Sequence, residues 1–336
     1  AAGSTLVAGF WNSHVHFLDP VARQAGQRPA AELQATLDGM LNRWGFTTVF
    51  DIAAINGAGA ALRRRIEAGD VTGPAVLTVD APFFPAGGTP YYVREVLEQA
   101  GAPSAEVADV AQARERARGQ LAQGADGVKL FAGAIVGGEV GVLPMDVDIA
   151  RAIVDEAHRV GKPAFAHPTD MAGLEVALAS GVDVLAHTTP TTGLWSDALV
   201  ARLREADMAL VPTLSLFDDA MVKDAPPAEV VERFMGAAVQ QVRAMHSAGG
   251  QILFGTDVDF APVQDTGREF ALLASAGLDW RAILESLTTA PATRFGQAAR
   301  KGRIAPGLQA DLVLLGGDPR QDIAAFSQVR KVWRDG

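Results

Sequence analysis

The sequence predicts an α/β fold in which eight parallel strands, each followed by a helix, close into a (β/α)8 TIM barrel. The first observation is length, because such a barrel takes about 250 residues and the 336 present leave room for a small appendage. The second is alternation, since short β-branched or apolar runs are followed repeatedly by amphipathic stretches that end near glycine. The third is a change after residue 296, where strand-like runs continue without a helix between them.

The alternating part of the chain accounts for eight strand and helix pairs. The predicted strands are 6–17, 46–52, 74–79, 126–131, 163–167, 183–187, 209–213 and 251–257. The predicted helices are 31–43, 58–68, 105–122, 146–160, 170–180, 195–206, 227–247 and 268–294. Active sites of such barrels lie at the C-terminal ends of the strands, so polar residues there are the first candidates for chemistry.

The tail of the chain predicts a second, smaller unit. Segments 302–307, 310–315 and 328–333 are typical of strands joined without a crossover helix. Two or three strands are marginally stable alone, so we expect them to pack on strands encoded upstream of Ala1. We therefore expect a barrel over 1–300 and C-terminal strands over 301–336, with the matching N-terminal strands absent from this chain.

Composition and charge exclude several classes of protein. Hydrophobic residues make up 49% and charged residues 20%, which is typical of a folded globular chain. The formal charge of −10 disfavours a nucleic-acid partner, because such a surface repels phosphates. No run approaches the 18 or so apolar residues that a membrane-spanning helix needs. The compartment stays open between cytoplasmic and, if a leader preceded Ala1, periplasmic or secreted.

Four of the six histidines stand at the ends of predicted strands and indicate a metal site. His14 and His16 are two residues apart, so strand geometry places both on one face. His167 ends the fifth strand and His187 the sixth. Asp257 closes the eighth strand, beside the first once the barrel closes, where its carboxylate can bind a metal or relay a proton. The absence of cysteine excludes disulfides and thiolate ligands.

Lys129 is one of only five lysines and lies inside an otherwise apolar strand. Desolvation there disfavours the charged form and lowers the pKa of the amine. A neutral amine can react with CO2 to form a carbamate, and that anion could bridge two cations. The alternative is a lysine that extends to solvent or forms an ion pair.

Taken together and in this order, these residues resemble the metal-dependent amidohydrolase superfamily, in particular its imidazolonepropionase-like and prolidase-like branch. The resemblance covers nearly the whole chain, including the tail from Gly302 to Leu315. It implies a small β-sandwich built from both chain ends. It also implies a binuclear metal centre, in which N6-carboxylated Lys129 and a hydroxide bridge two divalent ions. One ion is held by His14, His16 and Asp257, and the other by His167 and His187.

The function that this resemblance implies is a metal-dependent hydrolase that cleaves an amide-type C–N bond. N-acyl amino acids, dipeptides and cyclic amides are the expected small-molecule substrates, with the bridging hydroxide as nucleophile and Asp257 as proton shuttle. Zinc is the first choice for nitrogen and oxygen ligands, with manganese or iron as alternatives. The alternatives are a lactone or ester hydrolase on the same site, a mononuclear deaminase in which Lys129 is a bystander, and a non-catalytic scaffold.

One residue departs from the family pattern. The family often has Asp two residues before the first histidine, and this chain has Asn12 there. Asn12 shares the strand face of His14 and His16, so we expect it to hydrogen-bond behind the ligands.

Several residues after strand ends are candidates for contacts with substrate. Tyr91 and Tyr92, the only tyrosines, close the segment 83–92, which predicts either an aromatic lid or a loop packed on the rim. The other candidates are Thr188, Trp195, Phe217 and Asp259, the last as a partner for a cationic substrate group. The sequence leaves open whether the protein forms a homo-oligomer.

Overall fold

The computed structural model describes residues 3–261 and 265–336 and shows an α/β fold. Its strands are β1 (Thr5–Ala8), β2 (Phe10–Val15), β3 (Phe46–Asp51), β4 (Ala75–Thr78), β5 (Phe84–Pro85), β6 (Glu106–Val107), β7 (Val128–Phe131), β8 (Gly133–Gly137), β9 (Gly141–Pro144), β10 (Ala164–His167), β11 (Val184–Ala186), β12 (Ala209–Val211), β13 (Leu312–Leu315) and β14 (Val329–Trp333). Its helices are α1 (Pro20–Arg23), α2 (Ala30–Met40), α3 (Ala58–Glu67), α4 (Tyr91–Gln99), α5 (Val110–Ala122), α6 (Val147–Arg159), α7 (Met171–Ser180), α8 (Asp197–Glu205), α9 (Leu214–Asp224), α10 (Ala228–Ser247), α11 (Gly267–Ser275), α12 (Trp280–Leu287) and α13 (Thr289–Arg294).

Two parallel sheets form the centre of the fold. The first has the strand order β2, β3, β4, and the second has the order β12, β11, β10, β7. Helices lie between successive strands of both sheets, which is the alternation that the sequence predicts. The prediction of an α/β fold with a parallel sheet is confirmed.

Backbone contacts join the two sheets at both edges. On one side, Phe83 bridges Leu130, and the Asp126 N–H donates to the Thr78 carbonyl at 2.7 Å. On the other side, the segment 251–258 lies between β12 and β2, with Ile252 bridging Leu210 and Val258 bridging Val15. Pairing therefore passes from β2 through β3, β4, β7, β10, β11, β12 and residues 251–258, and returns to β2.

A cluster of large apolar side chains fills the space enclosed by these segments. Phe50 and Phe165 pack edge to face, with ring centroids 4.8 Å apart. Phe295, just after α13, packs against both rings. Their burial leaves the polar strand-end residues on the other side of this cluster, where the candidate site lies.

The predicted first strand, 6–17, is divided in the structure. Gly9 separates β1 from β2, and a Cβ at this position would overlap the side chain of Thr47, so only glycine fits there. The chain turns away there, and β1 pairs with β13 in a three-stranded antiparallel sheet of order β1, β13, β14. The small sheet therefore contains an N-terminal strand of this chain, which the sequence analysis had joined to the first barrel strand.

A buried ion pair holds the small sheet against β3. The Lys301 ammonium lies 3.0 Å from Asp311 Oδ2 and donates to Thr48 Oγ1 at 3.0 Å. Both charged side chains are buried. This contact fixes the position of the tail relative to the parallel strands.

Several other predicted elements differ in the structure. The segment 251–257 forms isolated bridges instead of a regular strand. The segment 83–92 contains the short strand β5 and the first two residues of helix α4, and α9 follows β12 where no helix was predicted. The predicted strand 302–307 is wrong, since no strand forms there, and the predicted helix 268–294 is divided into α11, α12 and α13. No helix among the described residues is both long and apolar enough to cross a membrane.

Candidate metal centre and active site

The six predicted ligands converge on one cavity of about 670 Å³ at the carboxyl ends of the parallel strands. β2, β7 and β10 carry one ligand each, and the other three follow β2, β11 and the bridge at Ile252. These residues are His14, His16, Lys129, His167, His187 and Asp257. Parallel strands bring their carboxyl ends to one edge, which explains how positions so distant in sequence meet.

The tightest cluster consists of His14, His16 and Asp257. Asp257 Oδ1 lies 2.8 Å from His16 Nε2 and 3.2 Å from His14 Nε2, and the two imidazole nitrogens are 3.2 Å apart. One donor atom from each residue falls within 4.8 Å of the others. All three residues are buried. Two imidazoles and a carboxylate converging in this way fit a divalent cation such as zinc, manganese or iron.

His167 and His187 lie beside this cluster. Their ring centroids are 4.6 Å apart, and the His187 ring is also 4.6 Å from that of His14. His187 Nε2 is 3.7 Å from Asp257 Oδ2, so the carboxylate faces both groups of histidines. The Lys129 amine is buried on the same wall, 5.5 Å from the centre of the Phe131 ring, which stacks on His167.

Burial sets the protonation states of these groups. Desolvation lowers the pKa of His14 to about 4 and the pKa of Lys129 to about 7. It also lowers the pKa values of His167 and His187 well below their usual range. Burial would raise the pKa of Asp257, but the neighbouring His14 and His16 outweigh it and hold that pKa well below its usual range. At neutral pH the imidazoles of His14, His167 and His187 are uncharged and the carboxylate is ionised, the state that metal ligation requires.

A threonine determines which nitrogen of His187 faces the cavity. The Thr213 hydroxyl donates to the Pro212 carbonyl at 2.8 Å, so it accepts from His187 Nδ1, which lies 2.6 Å away. The proton is therefore on Nδ1, and the Nε2 lone pair points toward Asp257. Thr213, His187 and Asp257 all have positive φ angles, of 49°, 86° and 58°. Such strained backbone in non-glycine residues is concentrated at functional sites.

Asn12 supports the site through the backbone. Its Oδ1 accepts from the N–H groups of His14 and Thr256, each at 3.2 Å, and its Nδ2 donates to Thr256 Oγ1 at 2.8 Å. Asn12 therefore ties β2 to the segment that carries Asp257. It hydrogen-bonds to the backbone that positions the ligands, without contacting their rings.

Comparison with known proteins decides the family. The model of the amidohydrolase family matches residues 5–336. The chain belongs to the amidohydrolase family. The resemblance stated from the sequence is thereby confirmed, and this amidohydrolase is a hydrolase of a metal-dependent family whose His14, His16 and Asp257 converge as a metal site would require.

Relatives of this amidohydrolase include hydrolases with different names. Ochratoxinase of Aspergillus niger is 25% identical over 379 residues, covering 98% of this chain and 75% of that protein. A prolidase solved in complex with N-methylphosphonate-L-proline is similar with a TM-score of 0.78 at 26% identity, covering 99% of this chain and 86% of the other. An Xaa-Pro dipeptidase with methionine bound in its active site shares the fold, with a TM-score of 0.81, 22% identity, and coverage of 99% and 86%.

The predicted substrate residues lie at different distances from the cavity of this amidohydrolase. Tyr92 lines it, and burial, with a further contribution from Asp257, raises the pKa of its phenol. Tyr91 is 57% exposed and packs on the Tyr92 ring. The Phe217 ring lies 6.0 Å from the His187 ring, and Thr188 is buried just after that histidine.

Trp195 and Asp259, also predicted as substrate contacts, make hydrogen bonds within the chain. The Trp195 indole is buried and donates to Thr189 Oγ1 at 2.9 Å, so it belongs to the core. Asp259 Oδ2 accepts from the N–H groups of Leu18 and Asp19, at 2.6 and 2.7 Å. That oxygen holds the loop after β2, and a contact of Asp259 with a cationic substrate group stays a prediction.

The structure also places residues at the cavity that the sequence analysis missed. Helix α4 contributes an apolar face, and the strand-end Asp80 and the α5 residues Arg116 and Gln120 add polar groups. The apolar spacing within 91–99 could have indicated α4, since its pattern is amphipathic. No local signal marks Gln120, because only the packing of α5 against the strands brings it to the wall.

Proposed function

We propose that this amidohydrolase cleaves an amide-type C–N bond in a small molecule such as an N-acyl amino acid, a dipeptide or a cyclic amide. The observation that carries the proposal is the convergence of four histidines, Lys129 and Asp257 on a single cavity. A prolidase and an ochratoxinase among its relatives support a hydrolase of this class. An apolar cavity with a few converging polar groups is the usual form of a small-molecule site.

For the scaffold, we infer that the eight paired segments close a (β/α)8 barrel. The return of pairing from residues 251–258 to β2 supports this, as does the position of the ligands at the carboxyl ends of the strands. We further propose that the sheet of β1, β13 and β14 is part of a small β-sandwich. The division into 1–300 and 301–336 stays a prediction, and by its pairing Thr5–Ala8 belongs with the tail.

The donor set suggests two cation positions. His14, His16 and Asp257 would hold one divalent ion, and His167 and His187 would hold a second, with carboxylated Lys129 between them. Zinc is the expected ion, and a pair of such ions supplies a Lewis acid for the substrate carbonyl and lowers the pKa of a shared water.

The environment of Lys129 favours carboxylation. Burial lowers the pKa of its amine to about 7, so a large fraction is neutral at physiological pH. The neutral amine can add CO2 and release a proton, which forms a carbamate anion. The new negative charge would offset the positive charge of two cations in a buried site that otherwise has only Asp257 as an anion among the six ligands.

Asp257 is placed to move a proton. Its Oδ1 faces His14 and His16, while Oδ2 faces His187 at 3.7 Å. Because its pKa is held low, the carboxylate is ionised before reaction and can accept a proton from the attacking water. Oδ2 would then pass that proton to the departing amine.

Metal stoichiometry together with a substrate panel tests this proposal. We expect about two ions per chain and hydrolysis of N-acyl amino acids, dipeptides or cyclic amides. Lys129→Ala should reduce the metal content toward one ion and lower kcat by about 1,000-fold, roughly 4 kcal/mol of barrier. Lys331→Ala, which changes a lysine of the small sheet, is the matched control and should alter neither quantity.

Other results would favour the alternatives. One ion per chain with an active Lys129→Ala variant would indicate a mononuclear deaminase. Faster turnover of lactones or esters than of amides would indicate a carboxylic ester hydrolase on the same ligands. A purified protein that binds no divalent metal would indicate a non-catalytic scaffold.

A further inference from the structure

The loop after β4 brings a carboxylate to the wall of the cavity. The Asp80 carbonyl accepts from the Ala54 N–H at 2.9 Å, which ties the loop to the segment after β3. Three residues later, the Phe83 N–H donates to the Lys129 carbonyl at 2.8 Å, which ties the loop to β7. Asp80 is thereby held between two strand ends, and it lines the same cavity as the six predicted ligands.

The backbone at Asp80 explains only part of why an aspartate stands there. Its φ angle of 63° lies in the left-handed region. Aspartate and asparagine enter that region more readily than most other non-glycine residues, because their short polar side chains can bond to nearby backbone. The turn therefore accounts for aspartate or asparagine at this position, and it does not by itself account for a negative charge in the cavity.

The Asp80 carboxylate has no partner of opposite charge within the chain. A partly buried carboxylate elsewhere in the fold is paired with cations, as Asp126 is with Arg63 and Lys162. Asp80 forms no such ion pair with any residue that the structure describes, although burial raises its pKa and so disfavours its charged form. A cation that enters the cavity beside Asp80 would offset this cost of burial.

The cation on the same wall is held away from Asp80 by other contacts. The charge of Arg116 acts on Asp80 and opposes the rise in its pKa. The Arg116 guanidinium, however, donates to the carbonyls of Ala105 and Pro82, at 2.5 and 2.7 Å. It also lies over the Phe83 ring, 4.5 Å from its centroid. These contacts fix Arg116 as part of the wall and leave the position next to the Asp80 carboxylate open.

We propose that Asp80 pairs with a cationic group of the substrate, and so selects amides that carry a guanidinium or an ammonium away from the scissile bond. This inference rests on the proposed function, because it places the cation on the molecule whose amide is cleaved. A guanidinium suits the position best, since it can donate two parallel hydrogen bonds to one carboxylate. Asp80 determines specificity in this arrangement and takes no part in the cleavage itself.

Two pairs of substrates of nearly equal shape test this selection. Nα-acetylarginine carries a guanidinium, and Nα-acetylcitrulline has a neutral urea in its place. We compare them, and likewise 6-guanidinohexanoylglycine with 6-ureidohexanoylglycine, so that the cation lies on either side of the amide. In at least one pair, kcat/KM should be about tenfold or more higher for the cation, because a charge-assisted hydrogen bond is stronger than a neutral one.

Variants that remove one negative charge show where the cation binds. Asp80→Asn keeps the turn, so it should bring the ratio to about one and leave kcat/KM for the urea substrate within about twofold of wild type. Glu115→Gln removes an equal charge from the exposed side of α5 and should leave the ratio unchanged. A ratio near one in wild type would overturn the inference. So would a preference that survives in Asp80→Asn, or one that is lost only in Asp259→Asn.

A binding measurement on the metal-free protein separates this inference from the proposed function. We titrate hexylguanidinium chloride and hexylurea by calorimetry, since the two differ in charge and hardly in shape. The guanidinium should bind about fivefold more tightly, and Asp80→Asn should abolish that difference. This pattern in a protein that hydrolyses no amide would reject the proposed function and keep the cation position. Equal affinity of the two ligands would overturn the inference, as would a difference that is lost in Asp257→Asn and kept in Asp80→Asn.

Discussion

The hydroxyl of Thr213 shows how one buried atom can decide the chemistry of a site. It accepts from Nδ1 of His187 and donates to the Pro212 carbonyl, so the imidazole is held in one tautomer. Its φ angle of 49° is unusual for a β-branched residue, and that strain is offset by the surrounding packing. The orientation of the ligand therefore depends on a residue that would not itself touch a metal.

Replacing Thr213 by valine should weaken metal binding while leaving the fold in place. Valine keeps the shape but removes the acceptor, so His187 loses its tautomer preference, and loss of such partners typically costs 10- to 100-fold in affinity. Competition with a chromophoric chelator measures the change. Thr213→Ser retains the hydroxyl and should bind close to wild type; equal affinity of the valine variant and wild type would contradict this role.

Glu269 links a buried charge to the start of α9. Its carboxylate accepts from the N–H groups of Leu214 and Ser215, at 3.1 and 2.7 Å, and burial raises its pKa from 4.5 to about 7. The helix that follows β12 thus begins on a side chain from α11. This long-range contact explains why the local sequence alone did not indicate α9.

Between about pH 4.5 and 7 the folded state should hold a proton on Glu269 that the unfolded state has lost. Stability from this group is therefore present at low pH and decreases as pH rises through that window, by about 3 kcal/mol in all. Urea unfolding of the metal-free protein at pH 5 and 7.5 measures the effect. Glu269→Gln cannot ionise, so its stability should change less between the two pH values, and an identical pH dependence in both proteins would refute the assignment.

The ion pair of Lys301 and Asp311 lies within the C-terminal segment, and Lys301 also donates to Thr48 of β3. Lys301 follows the last helix, while Asp311 precedes β13, and both are buried where the small sheet meets β3. Removing one partner leaves an uncompensated charge away from water.

Lys301→Met should therefore destabilise the protein by about 3 kcal/mol or more, whereas the double variant Lys301→Met with Asp311→Leu should recover part of that loss. We measure the denaturant midpoints of wild type, of both single variants and of the double variant, which together form a double-mutant cycle. Additive losses in the double variant would show that the two charges are not coupled.

In the whole molecule, the candidate metal centre draws together residues from 14 to 257. Its ligands come from β2, β7 and β10 and from the segments after β2, β11 and Ile252, so ions bound there would connect parts of the chain that are far apart in sequence. Because such an ion would bind the folded chain and not the unfolded one, its binding would increase the free energy of unfolding.

Divalent metal should accordingly raise the melting temperature. At 100 times the dissociation constant the gain is about 2.7 kcal/mol, which corresponds to roughly 4 °C for a chain of this length. Differential scanning fluorimetry with zinc or with a chelator measures the shift. His14→Ala should lose the zinc-dependent shift and His246→Ala should keep it, and a shift that survives in the His14 variant would place the ion elsewhere.

Hydrophobic periodicity and the spacing of polar residues were sufficient to predict which residues meet at much of the candidate site. The two-residue interval between His14 and His16 places both on one strand face, and the alternation of strands and helices places the other ligands at one edge of the parallel sheet. These relations are local, or follow from a topology that leaves little choice, and they were enough to recognise the amidohydrolase family.

The features that the sequence did not predict depend on packing between segments that are distant in the chain. Only glycine fits at position 9 because Thr47 lies against it, and the hydrogen bonds of Trp195 and Asp259 depend on Thr189 and on the loop after β2. Gln120 reaches the cavity wall only because α5 packs beside the strands. A residue's own neighbours in sequence determine its periodicity and intrinsic preference. Which buried donor meets which acceptor, and where a space remains, is determined only when segments far apart in the chain come into contact.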